Sequence, residues 1–463
     1  MTRKTATELL AARNVRESTL HAIRSALIDT IIPDLSDGDP ATVGHLALRL
    51  VDHLIALDSE DDVIGTDAAA VEGDMVAKVT DETEPSRAAI RRFVAAEEQR
   101  LIRRDPEAAG GVAQMYLGGK TSRAEDDTAA DKARPLLTAE SLTAYLRRRF
   151  PDRPERVVQS LDLLPGGMSK QTFKVRTEEI GQIEHFVIRK DFPISPTTVS
   201  VVDEYAMLVA MRNSGGMPMA EPLWEESDPA IFGTPLMAVS LVEGSNDYSA
   251  AMRDPQVARV FADALAAAMA RLHAMPLQRT TAGPLVERDG RAHVAAEIDR
   301  WHLLLRRSRT GPEPVLETAF AWLRANIPDL RAPSAIVHGD IGFHNMLMNE
   351  GRLAALLDWE FTHIGDPAED VVYSRFFVEQ VIDWETFLNF YEAHGGIRPS
   401  AAQEHFYAVW QSARNAAGCA GAEHAFLNNA DADMKLGVSG MTFKPRFALD
   451  ALQRIVAARE YRR

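Results

Sequence analysis

Residues Ile336 to Phe361 read IVHGDIGFHNMLMNEGRLAALLDWEF. This stretch sets His338, Asp340, Asn345 and Asp358 in or beside short apolar runs. Such groups are costly to bury unless they are paired or bound. The first run, SAIVHGD, ends in His-Gly-Asp, while NMLMN and LAALLDWE read as two short strands joined by the turn EGR. A hairpin of that kind brings Asn345 and Asp358 close together and leaves Asp340 on the adjoining loop. Two oxygen ligands from neighbouring strand ends suit Mg²⁺, a hard ion that takes few protein ligands besides substrate phosphates. Asp340 is then free to orient a hydroxyl and accept its proton.

Asp, four residues, Asn and a later Asp is also the layout of a kinase catalytic loop followed by a metal-binding loop. HGDIGFHN resembles the former and LDWE the latter. The spacing and the preceding His-Gly are similar to the aminoglycoside phosphotransferase-like branch of kinases rather than to protein kinases. The longer run LLDWEFTHIGDPAEDVVY resembles in particular the branch that includes the kinase domains of acyl-CoA dehydrogenase family proteins. There the metal Asp is followed by Trp-Glu, then Gly-Asp-Pro and a further Asp. The resemblance covers about residues 138 to 400, and more weakly the final helices, but not the first hundred residues. It implies an α+β, bilobal protein-kinase-like fold, with a small antiparallel β N-lobe and a mainly helical C-lobe. It also implies ATP and Mg²⁺ as cofactors and a small-molecule hydroxyl as acceptor.

The strand pattern upstream agrees. From about Val157 the runs RVVQSLDLL, TFKVRTE and EHFVIRK are short and partly alternating, separated by PGGMSKQ and EIGQI. They predict a three-stranded antiparallel meander. A helix, SVVDEYAMLVAMRNSG, and two more strands near AEPLWEES and TPLMAVSLVEG follow. LLPGGMSKQTFKV resembles the family's nucleotide-binding hairpin, with Gly166, Gly167 and Ser169 at a turn where backbone N–H groups can approach phosphates. In FVIRK the phosphate-binding cation maps to Arg189. Lys190, next to it, would point to the other face of the strand. VDEYAMLVAM resembles the helix whose Glu pairs with that cation, which assigns Glu204. Ser240, Leu241 and Val242 map to the hinge that holds adenine through backbone hydrogen bonds. Catalytic roles thus fall to Asp340, Arg189 and Glu204, and metal ligation to Asn345 and Asp358.

Other polar residues receive quieter readings. The His338 ring is expected to hold the catalytic loop, while His344 could touch substrate or fill space. Asp366, just before Pro367, reads as a helix cap, and Asp370 as a buried anchor for the catalytic loop. His273 and His302 read as packing residues. Arg300, Arg306, Arg307 and Arg309 would suit an anionic acceptor such as a CoA thioester, or form a solvated helix face.

The 463 residues are too many for one core. The expected order is a helical bundle over 1–108, a Gly/Ala/Asp-rich linker over 109–134, the N-lobe over 135–244 and the C-lobe over 245–463. The N-terminal helices carry apolar residues at three- and four-residue spacing but no catalytic cluster, and are expected to serve self-association or a protein partner. The net charge of −16 argues against a nucleic-acid or anionic-membrane partner. One cysteine, Cys419, allows no intramolecular disulfide, and no apolar run approaches the ~18 residues of a membrane span. A cytoplasmic setting is expected. Three functions fit: a kinase for a hydroxyacyl-CoA or other catabolic hydroxyl compound, an aminoglycoside or other antibiotic phosphotransferase, and a catalytically inactive nucleotide-binding scaffold.

Overall fold

The computed structural model describes residues 68–81, 83–104, 137–164, 169–193, 197, 199–276, 290–309, 311–428 and 434–461. Gly166, Gly167 and the expected linker over 109–134 lie outside the described residues, as does most of the expected N-terminal bundle. In chain order the elements are α1 (Ala68–Thr80), α2 (Glu84–Arg104), α3 (Ala139–Arg149), β1 (Val157–Leu164), β2 (Lys170–Glu179), β3 (Gln182–Asp191) and α4 (Val201–Ser214). Then come β4 (Pro222–Glu226), the short α5 (Pro229–Phe232), β5 (Leu236–Ser240), α6 (Pro255–His273), α7 (Gly290–Ser308) and α8 (Pro314–Ala325). The last are β6 (Ala335–Val337), β7 (Met346–Asn349), β8 (Arg352–Leu356), β9 (His363–Gly365), α9 (Ala368–Val378), α10 (Trp384–Ala393), α11 (Ala401–Asn428), α12 (Met434–Val438) and α13 (Lys444–Tyr461).

By contacts these residues form two units that cut across chain order. One holds the described residues of Met1–Thr128 with Trp301–Asn326 and Val409–Arg463, and the other holds Ala129–Arg300 with Ile327–Ala408. In the first, α1 packs on α8, and α2 on α13. Met75, Val79, Ile90 and Val94 are buried there.

The second unit has the expected two-lobed α+β architecture. The meander β1–β2–β3 is extended by β5 and then β4 into an antiparallel sheet of order β1-β2-β3-β5-β4. Side chains alternate across it, and cross-strand partners share a face. Phe186 and Ile188 therefore join Val175, Leu236 and Ala238 on one face, under Leu142, Tyr145 and Leu146 of α3. Each such leucine contributes ~1.5–3 kcal/mol by burial. A capping box starts α3, with Thr138 and Ser141 each accepting the other's backbone N–H. The opposite face carries Lys170, Thr172, Arg189 and Asp191, because Lys170 pairs with Asp191 and Thr172 with Arg189. Lys190 falls on the α3 side and is buried.

In the helical lobe, α6 starts at Asp254, which caps through Gln256 N–H, with Pro255 in the first turn. Its buried residues Ala258, Phe261, Ala262, Leu265, Met269 and Leu272 recur every three or four positions. This stripe packs against α10 and β6. Two small antiparallel pairs, β6 with β9 and β7 with β8, carry the loops that hold Asp340 and Asp358.

Candidate active site

The chain leaves β6 through His338 and Gly339. Gly339 has φ +82°, and a Cβ there would lie 2.7 Å from the Phe361 carbonyl oxygen, so both backbone conformation and space call for glycine. A 3-10 turn, Phe343–Asn345, then feeds β7. The β7–β8 connection at Glu350 and Gly351 has positive φ at both residues, the geometry a two-residue hairpin favours. The hairpin returns Leu357, whose N–H donates to the Asn345 carbonyl at 2.8 Å. The next residue, Asp358, adopts φ 64°, ψ 62°, a left-handed conformation that Asp tolerates better than most.

Asn345 and Asp358 are thus on adjoining segments, as the hairpin predicts, and Asp340 is beside Asn345. The Asn345 amide Nδ2 donates to the Asp340 carbonyl at 2.9 Å and to Asp340 Oδ2 at 3.1 Å. That use of the nitrogen leaves its oxygen as the side-chain atom suited to a cation. Asp340 Oδ1 accepts from the Tyr373 hydroxyl and lies 3.5 Å from His344 Nε2. The His344 ring packs on Phe377, with centroids 4.5 Å apart.

His338 is fully buried and spans the two loops. Its Nε2 donates to the Leu357 carbonyl at 3.0 Å, and its Nδ1 accepts from Asp340 N–H at 3.3 Å. Burial pushes its pKa down, so the ring stays neutral with both nitrogens used. Asp370, fully buried on α9, accepts the backbone N–H of His338 at 2.8 Å and of Gly339 at 2.9 Å. It is the anchor expected. His273, read as packing, instead bridges Asp370 at 3.1 Å and the Tyr391 hydroxyl at 2.7 Å. Asp366 Oδ1 accepts Ala368 N–H at the start of α9, and its other oxygen accepts from Gln403 at 2.7 Å. His302, the other histidine read as packing, stacks on Phe320 and also bonds Glu317 at 2.7 Å.

On the sheet, Arg189 Nη2 lies 2.6 Å from Asp358 Oδ1 and 3.3 Å from Glu204 Oε2. Glu204 is 2% exposed, and Trp359 N–H also donates to it. Burial raises the Glu204 pKa, the Arg189 charge opposing it. Sequence reasoning missed a second set of buried ions beside this pair. Lys170, 1% exposed at its side chain, lies 3.2 Å from Asp191 and 3.6 Å from Glu360, and donates to the Val199 carbonyl at 2.6 Å. Asp191 in turn accepts from Ser200 Oγ at 2.6 Å and Val201 N–H at 3.1 Å, fixing the start of α4. Ser169, the described member of the glycine turn, donates to Glu360 at 2.7 Å. Burial and the Asp358 charge raise the Glu360 pKa to about 8.

The hinge candidates differ among themselves. Ser240 N–H donates to the Glu221 carbonyl at 2.8 Å, and Ser240 Oγ accepts Glu221 N–H at 2.8 Å. Beyond Leu241 and Val242 the chain bridges at Ser245 to Met348. Of the arginine cluster, Arg300 pairs with Glu297, and Arg306 and Arg309 with Glu317. Among the described residues there is no group of three or more His, Cys, Asp or Glu set to hold a metal ion, and no helix long and apolar enough to cross a membrane.

A five-stranded antiparallel lobe and a helical lobe, with Arg189 of the sheet paired to Glu204 of α4 and an Asp/Asn/Asp set on two loops, define a kinase-like phosphotransferase fold. A model of the phosphotransferase enzyme family, APH, matches residues 160–409, more than half the chain, and the chain belongs to that family. It is 29% identical over 258 residues to acyl-CoA dehydrogenase family member 11 of Gallus gallus, covering 54% of this chain and 32% of that protein. It is 29% identical over 168 residues to viomycin phosphotransferase of Streptomyces vinaceus, covering 34% and 55%. The chain therefore spans about a third of the length of the first relative and little more than half that of the second. A solved chain from Ralstonia eutropha, assigned as an aminoglycoside phosphotransferase, shares the fold at a TM-score of 0.51 and 20% identity, covering 69% of this chain and 98% of that one.

Proposed function

We propose that this chain is an ATP-dependent small-molecule kinase that transfers the γ-phosphoryl group to an acceptor hydroxyl. The observation that carries the reading is the convergence of Asp340, Asn345 and Asp358 at two hydrogen-bonded loops, with Arg189 2.6 Å from Asp358. The donor set fits a hard divalent cation: one carboxylate and one amide oxygen, on neighbouring loops, leaving room for phosphate oxygens. Bound there, Mg²⁺ would neutralise charge on the phosphates. Arg189, steadied by Glu204, holds the phosphates. Asp340 orients the acceptor hydroxyl and takes its proton as the acceptor oxygen bonds to the γ-phosphorus and the bond to the departing ADP breaks. By the family resemblance, phosphate binding is assigned to Gly166, Gly167 and Ser169. Ser240 is already engaged with Glu221, so adenine falls to the backbone of Leu241 and Val242.

Similarity to the acyl-CoA dehydrogenase family proteins supports a hydroxyacyl-CoA or another catabolic hydroxyl compound as acceptor. The test is incubation with ATP, Mg²⁺ and a panel of hydroxylated acceptors, including CoA thioesters and aminoglycosides, read as phosphate gained by mass. The proposal expects transfer to a CoA thioester or related catabolic alcohol. Transfer to aminoglycosides alone would support the antibiotic-modifying reading. Nucleotide binding without transfer to any acceptor would support the inactive scaffold.

A further inference from the structure

Helix α9 holds the catalytic loop twice. Asp370 takes two backbone N–H groups of the loop, and Tyr373 lies three residues on, which places it on the same helix face. The Tyr373 hydroxyl donates to Asp340 Oδ1 while Asn345 donates to Asp340 Oδ2. The ring is 5% exposed and lies near Phe377, centroids 6.3 Å apart, in a helix whose Ser374 and Phe377 are also buried. The hydroxyl therefore sits at the end of a packed aromatic lever.

We propose that Tyr373 is a positioning residue for phosphoryl transfer, acting through Asp340; the inference rests on the kinase reading above. A carboxylate side chain on a loop can rotate about two bonds. Donors on both oxygens, one from the helix and one from the loop itself, fix the plane of the Asp340 carboxylate. The carboxylate has about four acceptor positions, so a lone pair remains for the acceptor hydroxyl. His344, 3.5 Å from the same oxygen and one-third exposed, closes the other side. The anchor sets where the loop is, and Tyr373 sets how the base points. Small misplacements of a reacting group are costly, since positioning supplies much of the rate in this chemistry.

The test uses the full chain and water as acceptor, following phosphate release from Mg²⁺-ATP by wild type, Tyr373→Phe, Asp340→Asn and the double variant. Tyr373→Phe keeps the ring and its packing, and its melting temperature is measured alongside. The expected result is a fall in kcat of about tenfold, with Mg²⁺-ATP affinity and KM within about twofold of wild type. In the Asp340→Asn background the same change should alter the rate by less than about twofold, because residues acting as a unit are not additive. A Tyr373→Phe enzyme with wild-type kcat overturns the proposal. So does an equal loss in both backgrounds, which would mark a merely structural hydroxyl. A wild type that neither binds nor hydrolyses Mg²⁺-ATP removes the kinase reading itself and this proposal with it. That outcome is separate from a wild type that turns over and a Tyr373→Phe variant that matches it.

Discussion

Replacing Arg189 by Met keeps most of the side-chain volume and removes the guanidinium from a place where two carboxylates converge. The structure sets the size of the effect. Glu204 is 2% exposed, and burial raises its pKa even with Arg189 3.3 Å away. Without that partner Glu204 must stay charged in a poorly solvated site or take up a proton. Removing one member of a buried pair costs about 3–5 kcal/mol, most of it the price of the stranded charge. Replacing Glu204 by Leu as well removes the stranded carboxylate, so Arg189→Met/Glu204→Leu should recover at least about 2 kcal/mol relative to the sum of the single changes. The pH dependence follows. A carboxyl whose folded pKa is raised favours the fold below its unfolded pKa, and that contribution is lost as pH rises through the folded value. The Arg189→Met deficit should therefore shrink as pH falls toward the ordinary carboxylate range. Urea unfolding, followed by circular dichroism at several pH values, measures all of this. Lys190→Ala, on the α3 face, should show no coupling to Glu204. A loss below about 1 kcal/mol for Arg189→Met, or a double variant as weak as the sum, would refute the argument.

Asp370→Asn keeps the shape but turns a two-oxygen acceptor toward two N–H donors, one of which the new amide cannot satisfy. It should destabilise the fold by about 2–4 kcal/mol and release the His338–Gly339 amides to hydrogen exchange. Unchanged protection of those amides would contradict the anchoring role. The His363 side chain is 12% exposed; burial alone would lower its pKa, but Glu297 and Glu369 outweigh it and raise the value to about 9. Its pairing therefore stabilises the fold fully below about pH 6.5 and is lost as pH rises through about 9, a change of about 3 kcal/mol. His363→Gln should abolish that slope in urea midpoints measured between pH 6 and 10; an unchanged slope would assign it to another group.

The hairpin between Asn345 and Asp358 was legible because its pieces are close in sequence. Two short strands and the turn EGR place Asn345 beside Leu357, and a one-residue alternation separates Arg189 from Lys190. Asp370 was legible through its place after Gly-Asp-Pro. The Lys170, Asp191 and Glu360 network was not, because Ser169 and Glu360 meet across 191 residues and no local pattern encodes that approach. Tyr373 could have been placed on the Asp370 face from helical spacing, but its partner is 33 residues away on another element. Nor could the sequence say what covers α8. An amphipathic pattern marks an apolar face without naming its neighbour, and here α1 packs on it.

The central claim, that Asp358 serves the metal and Asp340 the acceptor, is tested most directly by titration calorimetry of ATP with and without Mg²⁺. The variants are Asp358→Ala and Asp340→Ala, each paired with a turnover measurement. Asp358→Ala should lose the Mg²⁺-dependent part of ATP affinity together with turnover. Asp340→Ala should bind Mg²⁺-ATP near the wild-type level while turnover falls by ~10²-fold or more. Wild-type turnover in Asp340→Ala, or Mg²⁺-dependent affinity intact in Asp358→Ala, would contradict the account.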